Sequence, residues 1–204
     1  SQAASQAASP AVPEAVRSVQ RAALERQLAG ARTAGVPAIL TLRPDFRRDL
    51  KAYLVAEGDL VAALAKASAP EAKLYLHAFA GRPGLVAELT RAHPGCFFGF
   101  SGLATHAKAW ALQSEAAFEC PRSRLLLESN APLDPLGKDF KQQPPCVALP
   151  PNCDAGSTPR DIPAIAVAVA KARREDPSEV LAAATANAAA LFRFEVKGLQ
   201  APAP

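Results

Sequence analysis

The chain has 204 residues, with 23 basic and 19 acidic side chains and a net charge of +4, which is long enough for one sizeable core. Half of it is hydrophobic and 21 % charged, the balance of a globular soluble chain. No uninterrupted apolar run approaches the roughly 18 residues of a spanning helix, so membrane insertion is excluded; the longest, Ile162 to Ala170, is interrupted by Pro163.

Residues Ser1 to Pro13 repeat Ser-Gln-Ala-Ala and carry two prolines, a low-complexity leader with little to bury. The first residue is Ser1 and Met is absent, which suggests processing or a piece of something longer. From Glu14 to Ala34 apolar residues recur at helical spacing, and Gly35 supplies the stop. Val36 to Leu42 reads as a buried strand. Helices are expected over Asp45 to Val55 and over Asp59 to Ala67. Lys73 to Phe79 alternates as a strand and runs into a turn at Gly81; Arg82 to Ala92 is helical. Gly95 to Phe100 is a short aromatic strand, followed by a helix from about His106 to Phe118.

Leu125 to Glu128 is a Leu run too short for a helix and closed by polar residues and Pro132, the pattern of a parallel strand covered on both faces. It delivers Glu128 and Asn130 to a C-terminal strand end, where α/β sheets and barrels hold their ligands. The residue best placed there to hold a metal is an amide. Prolines and glycines then crowd a long loop from Ala131 to Pro159. Two helices close the chain, Ile162 to Arg174 and Pro177 to Ala190, the second with Asp176 as N-cap and Pro177 at its first position. Residues 195–204 read as a flexible tail, leaving 14–194 as the domain.

Basic residues are mixed along the chain. The densest groups, Arg43, Arg47, Arg48 and Lys51, then Lys171, Arg173 and Arg174, read as solvated helix faces rather than the basic stripe of a nucleic-acid footprint. Cys96, Cys120, Cys146 and Cys153 lack the paired spacing of a zinc site. Cys96 reads as a buried reduced thiol, Cys146 and Cys153 flank a Pro-rich loop that could be bridged or open, and a cytoplasmic or other reducing intracellular compartment is expected.

Strands alternating with helices at short connections argue for parallel βαβ units. The order of motifs resembles the C-terminal part of the TatD family of metal-dependent deoxyribonucleases, whose fold is an amidohydrolase-like (β/α)8 barrel. Leu76-His-Ala-Phe-Ala-Gly81 is similar to the family's Leu-His-Cys-Phe-Ser-Gly. Phe98-Gly-Phe-Ser-Gly102 matches its Gly-Phe-Ser-Gly turn, and Leu125-Leu-Leu-Glu-Ser-Asn-Ala-Pro132 is close to its Leu-Leu-Glu-Thr-Asp-Ala-Pro. Thr185, Asn187 and Leu191-Phe192 look like its last helix.

The resemblance implies an α/β fold, a partial (β/α)8 TIM-type barrel, and phosphodiester hydrolysis at a divalent centre that activates water. The family's ligands come from a His-x-His, a Glu, two separate His residues and a final Asp. This chain begins after the segments expected to carry the His-x-His and the Glu. Thr41 stands where the first separate His is expected, His77 matches the second, and Asn130 replaces the final Asp. A hydroxyl and an amide are neutral, weak ligands for hard divalent ions, and Asn130 cannot serve as a general base near neutral pH. Arg43, Glu128 and Asn130 are the remnant of a site and His77 the one candidate metal ligand, although His77 also reads as a hydrogen-bonded barrel histidine and Arg43 as the partner of a carboxylate. His93 and His106 read as surface residues.

The sequence therefore points to a degenerate TatD-like homologue acting as a structural or interaction subunit, with protein partners and no cofactor. The alternative is an active metal-dependent deoxyribonuclease seen as a fragment, using Mg, Mn or Zn, with DNA as substrate. A phosphate-contacting nucleic-acid binder without chemistry is a third reading, marked by strong salt dependence. Half of a barrel cannot close on itself, so upstream residues or another chain are expected to cover its open edges.

Overall fold

The computed structural model describes residues 12–42, 50–106, 110–131, 136–137 and 157–196. Six α-helices and four strands alternate along these residues: α1 (Glu14–Ala34), β1 (Ala38–Leu40), α2 (Leu50–Ala67), β2 (Leu74–Leu76), α3 (Pro83–Ala92), β3 (Cys96–Phe100), α4 (Trp110–Glu119), β4 (Leu125–Leu127), α5 (Ile162–Arg173) and α6 (Pro177–Phe192). The strands form one parallel sheet in the order β1-β2-β3-β4. Sequential order with helical crossovers is how successive βαβ units line up in one sheet.

Local chemistry sets the helix ends. Gly35 closes α1 in the left-handed conformation at φ 65°, and its N–H donates to the Ala31 and Arg32 carbonyls. Pro83 and Pro177 stand at the starts of α3 and α6, where the missing N–H has no intrahelical partner to lose. The Asp176 carboxylate accepts from the Ser178 N–H at 2.8 Å, capping α6.

Alternation along the strands separates two cores. Leu40, Leu74, Leu76, Cys96, Phe98, Phe100 and Leu125 face the helical layer, against Leu64, Leu85, Val86, Ile165 and Val169. Tyr75, Phe97 and Leu126 lie on the other face, covered by Leu191 near the end of α6.

Outside these cores α1 is tied to α2 by polar bonds. Arg17 and Arg21 both donate to Asp59, and Lys66 donates to Glu25 at 2.6 Å. Hydrogen bonds from Arg17, opposed by partial desolvation and joined by those from Arg21, hold the Asp59 carboxyl below its ordinary value. A depressed carboxylate adds stability above its unfolded pKa and loses it as pH falls through the folded one. Asp59→Asn is expected to lower Tm near neutral pH, and the gap from wild type should vanish in thermal melts taken below the usual aspartate range.

Three expectations need correction. Where two helices were expected, one ending at Val55 and the next starting at Asp59, α2 runs unbroken from Leu50 to Ala67; Gly58 between them is exposed with open space around its Cα, so nothing forces a break there. The earlier part of the first expected helix, residues 45–49, lies outside the described ones. Where a helix was expected from about His106, His106 itself ends a 3-10 turn over Gly102–Thr105, and the helix is described from Trp110, residues 107–109 lying outside the described ones. His93 is buried at 6 % exposure, because it ends α3 with its N–H on the Leu89 carbonyl and turns the chain into β3.

Cys96 and Cys120 are buried free thiols. Burial pushes both up, Cys120 to about 12, so they stay protonated and inert. Arg43, Pro132, Cys146, Cys153, most of the Ala131 to Pro159 loop, all but the last two residues of the leader and most of the tail lie outside the described residues.

Candidate functional site

Side chains two apart on a strand share a face. The inner face that carries Tyr75, Phe97 and Leu126 therefore continues into Gly99 within β3 and, just past the C-terminal ends of β2 and β4, into His77 and Glu128. Thr41 follows Ile39 on β1 in the same way. The structure thus brings Thr41, His77 and Glu128 to one end of the sheet, with Asn130 two residues further along.

Glu128 is the centre of the cluster and is only 9 % exposed. Its carboxylate accepts from the Tyr75 hydroxyl through one oxygen and from the Ala78 N–H through the other. His77 Nε2 lies 3.8 Å from the second oxygen, and His77 Nδ1 is 3.4 Å from the Thr41 hydroxyl. The His77 ring also stands edge-on to Tyr75, with centroids 5.8 Å apart. Thr41, His77, Glu128 and Tyr75 thus form one continuous chain of contacts.

The backbone is bent to make these contacts. Ala78 sits at φ 49° and Asn130 at φ 45°, in the left-handed region. Asn tolerates that region better than most residues; Ala does so at a cost, set here against its N–H bond to Glu128. Gly99 is needed for space: a Cβ there would run into a Glu128 carboxylate oxygen and stand 2.8 Å from the Tyr75 ring. Gly99→Ala is expected to displace Glu128 and to destabilise by about 1 kcal/mol or more, read as a lowered urea midpoint.

A second cluster braces the turn after β2. Arg82 donates to Glu57 and to Glu88, and its N–H donates to the buried Tyr53 hydroxyl at 3.3 Å. Burial, reinforced by Glu57, pushes the Tyr53 phenol up, so it remains a neutral donor and acceptor. The Gln113 amide donates to the Phe79 carbonyl at 3.0 Å, fixing the same turn from α4.

Of the residues expected at the site, His77, Glu128, Asn130 and Thr41 are placed at this strand end, and Arg43 falls outside the described residues. Sequence reasoning missed Tyr75. Its signal was present, since it lies two residues before His77 on a strand whose alternation was already read. Tyr53, Glu57 and Arg82 carried no comparable pattern.

A divalent ion finds a poor donor set here. Both Glu128 oxygens already accept protein hydrogen bonds, and Thr41 and Asn130 are neutral. Among the described residues no group of three His, Cys, Asp or Glu could hold a metal. Among the described residues this strand end therefore offers one carboxylate and one imidazole beside two neutral groups.

A parallel sheet backed by helices, with its polar residues gathered beyond the C-terminal strand ends, defines a portion of a TIM-type α/β barrel. The sequence profile of the TatD related DNases matches residues 10–193, and the chain belongs to that family. Solved structures with this fold include YjjV, a TatD homologue from Escherichia coli K12, at 21 % identity and a TM-score of 0.62, covering 83 % of this chain and 54 % of its own. An uncharacterized amidohydrolase from Saccharomyces cerevisiae matches at 18 % identity and a TM-score of 0.65, over 85 % of this chain and 59 % of that one. A TatD family hydrolase from Entamoeba histolytica matches at 16 % identity and 0.56, over 76 % and 61 %. The chain thus spans a little over half the length of the solved proteins it resembles. No curated protein gives a match. Among the described residues no helix is long and apolar enough to cross a membrane.

Proposed function

We propose that this chain is a catalytically degenerate TatD-family barrel portion that serves as a structural or interaction subunit of a larger assembly. The observation that supports it is the state of Glu128, which is occupied by the Tyr75 hydroxyl and the Ala78 N–H instead of standing open to a ligand. Thr41 and Asn130 add neutral groups where the family resemblance asks for an imidazole and a carboxylate. An amide at Asn130 accepts no proton near neutral pH, so it cannot activate water. In this reading the barrel scaffold is kept and its chemistry is lost, and no cofactor is required.

The alternative, an active nuclease whose remaining ligands lie elsewhere in the natural protein, rests on the approach of His77 to Glu128 at 3.8 Å. Cleavage assays separate the two. The full-length natural protein, given single-stranded and duplex DNA with magnesium, manganese or zinc, is expected to release no products above a chelator-treated control. Metal-dependent cleavage that disappears in Glu128→Gln would establish the nuclease and end the scaffold reading.

A further inference from the structure

The N-terminal end of the sheet, opposite the Glu128 cluster, holds a cavity of about 320 Å³ lined by the end of α1, the starts of β1 and β2 and the residue that follows α6. That volume lies at the small end of the range for ligand pockets. Leu28, Ala38 and Leu74 give the cavity apolar lining, and Arg32, Glu71, Lys73 and Arg193 give it charge. Three cations thus share it with one carboxylate.

A basic residue at the end of a helix commonly serves the carbonyls left open there. Here several of those carbonyls have other donors. The Ala31 and Arg32 carbonyls of α1 accept from the Gly35 N–H, and the Ala31 carbonyl accepts from the Val36 N–H as well. In α6 the Ala189 carbonyl accepts from the Arg193 and Phe194 N–H groups. The Lys73 ammonium donates to the Ala190 carbonyl at 2.7 Å, which also ties the end of α6 to the start of β2. Among the described residues the side chains of Arg32 and Arg193 make no hydrogen bond or ion pair, so two guanidiniums line one cavity with their donors unused.

We propose that this cavity binds a small organic phosphate, with its phosphoryl group on Arg32 and Arg193 and its apolar body against Leu28 and Leu74. The planar fork of a guanidinium matches phosphate oxygens two at a time. A phosphomonoester carries about −1.5 to −2 at neutral pH, which balances three cations held beside one carboxylate, whereas a monocarboxylate would leave positive charge uncompensated. Lys73 has donors to spare beyond its bond to the Ala190 carbonyl. The apolar lining favours a phosphate that carries a carbon body over the free ion. The site lies at the other end of the strands from His77 and Glu128, and it stands whether that cluster is active or retired.

Isothermal titration of the full-length natural protein with phenyl phosphate tests this. One equivalent per chain is expected, with affinity lowered about tenfold or more in Arg32→Gln and in Arg193→Gln, the loss of a charged hydrogen-bond donor. Arg91→Gln is the control: Arg91 stands in the last turn of α3 but does not line the cavity, so its loss should leave the affinity unchanged. All three arginines are exposed, and circular dichroism of each variant checks that the fold is kept. Inorganic phosphate should bind about tenfold more weakly than phenyl phosphate, because it gains nothing from the apolar lining. Absence of binding, equal loss in all three variants, no loss in Arg32→Gln and Arg193→Gln, or equal affinity for inorganic phosphate would overturn the proposal.

Discussion

Arg173→Met is expected to lower the unfolding free energy by about 3–5 kcal/mol, the cost of removing one partner from a buried ion pair. The Arg173 side chain is 8 % exposed and donates to the Ala117 and Cys120 carbonyls, and it pairs with Glu175 at 3.0 Å. These are carbonyls at the C-terminal end of α4, where a helix leaves its last acceptors without intrahelical donors. Methionine keeps much of the volume and removes every donor, so the carbonyls stay buried and unpaired and Glu175 loses a partner. Urea unfolding followed by circular dichroism should show a lower midpoint at unchanged slope. A shift below about 1 kcal/mol would mean that water or a neighbouring side chain replaces the guanidinium.

Tyr75→Phe should cost about 1.5–3 kcal/mol, the range for a hydrogen bond to a charged group. The ring packing against Phe97, Leu126 and Leu191 would survive, because phenylalanine fills the same space. What is lost is the hydroxyl that donates to Glu128. With that donor gone, the buried Glu128 oxygen it served loses a charge-assisted hydrogen bond while the bond from the Ala78 N–H to the other oxygen stays. Urea unfolding of wild type and variant measures the loss. Unchanged stability would show that Tyr75 does not hold Glu128.

Much of the fold was legible because the signals were local. The Leu125 to Leu127 run was too short for a helix, Gly35 had to take a positive φ, and Asp176-Pro177 could only begin a helix. The gap expected between Val55 and Asp59 is closed in the structure, since a helix bears the exposed Gly58 when its neighbours are packed, and Tyr53, Glu57, Leu60 and Leu64 on α2 are all buried. His93 misled for a tertiary reason: its place before Pro94 suggested the surface, but it is buried where α3 ends and the chain turns into β3. The site was half legible. His77 and Glu128 stood out as polar residues at strand ends, whereas the Tyr75 to Glu128 bond joins residues 53 positions apart and depends on the parallel register of three strands. The buttress of Tyr53, Glu57 and Arg82 likewise depends on how α2 meets the turn after β2, which no local pattern encodes.

If the site is retired, Glu128, Asn130 and Thr41 no longer make a place for a divalent ion. Isothermal titration of the metal-stripped, full-length natural protein with magnesium, manganese and zinc, alongside elemental analysis of the protein as purified, tests this most directly. No stoichiometric metal is expected on isolation, and any weak binding that appears should be unchanged in Glu128→Gln. One or two tight equivalents per chain, lost in Glu128→Gln or His77→Ala, would contradict the scaffold reading and make the strand-end cluster part of a working metal centre.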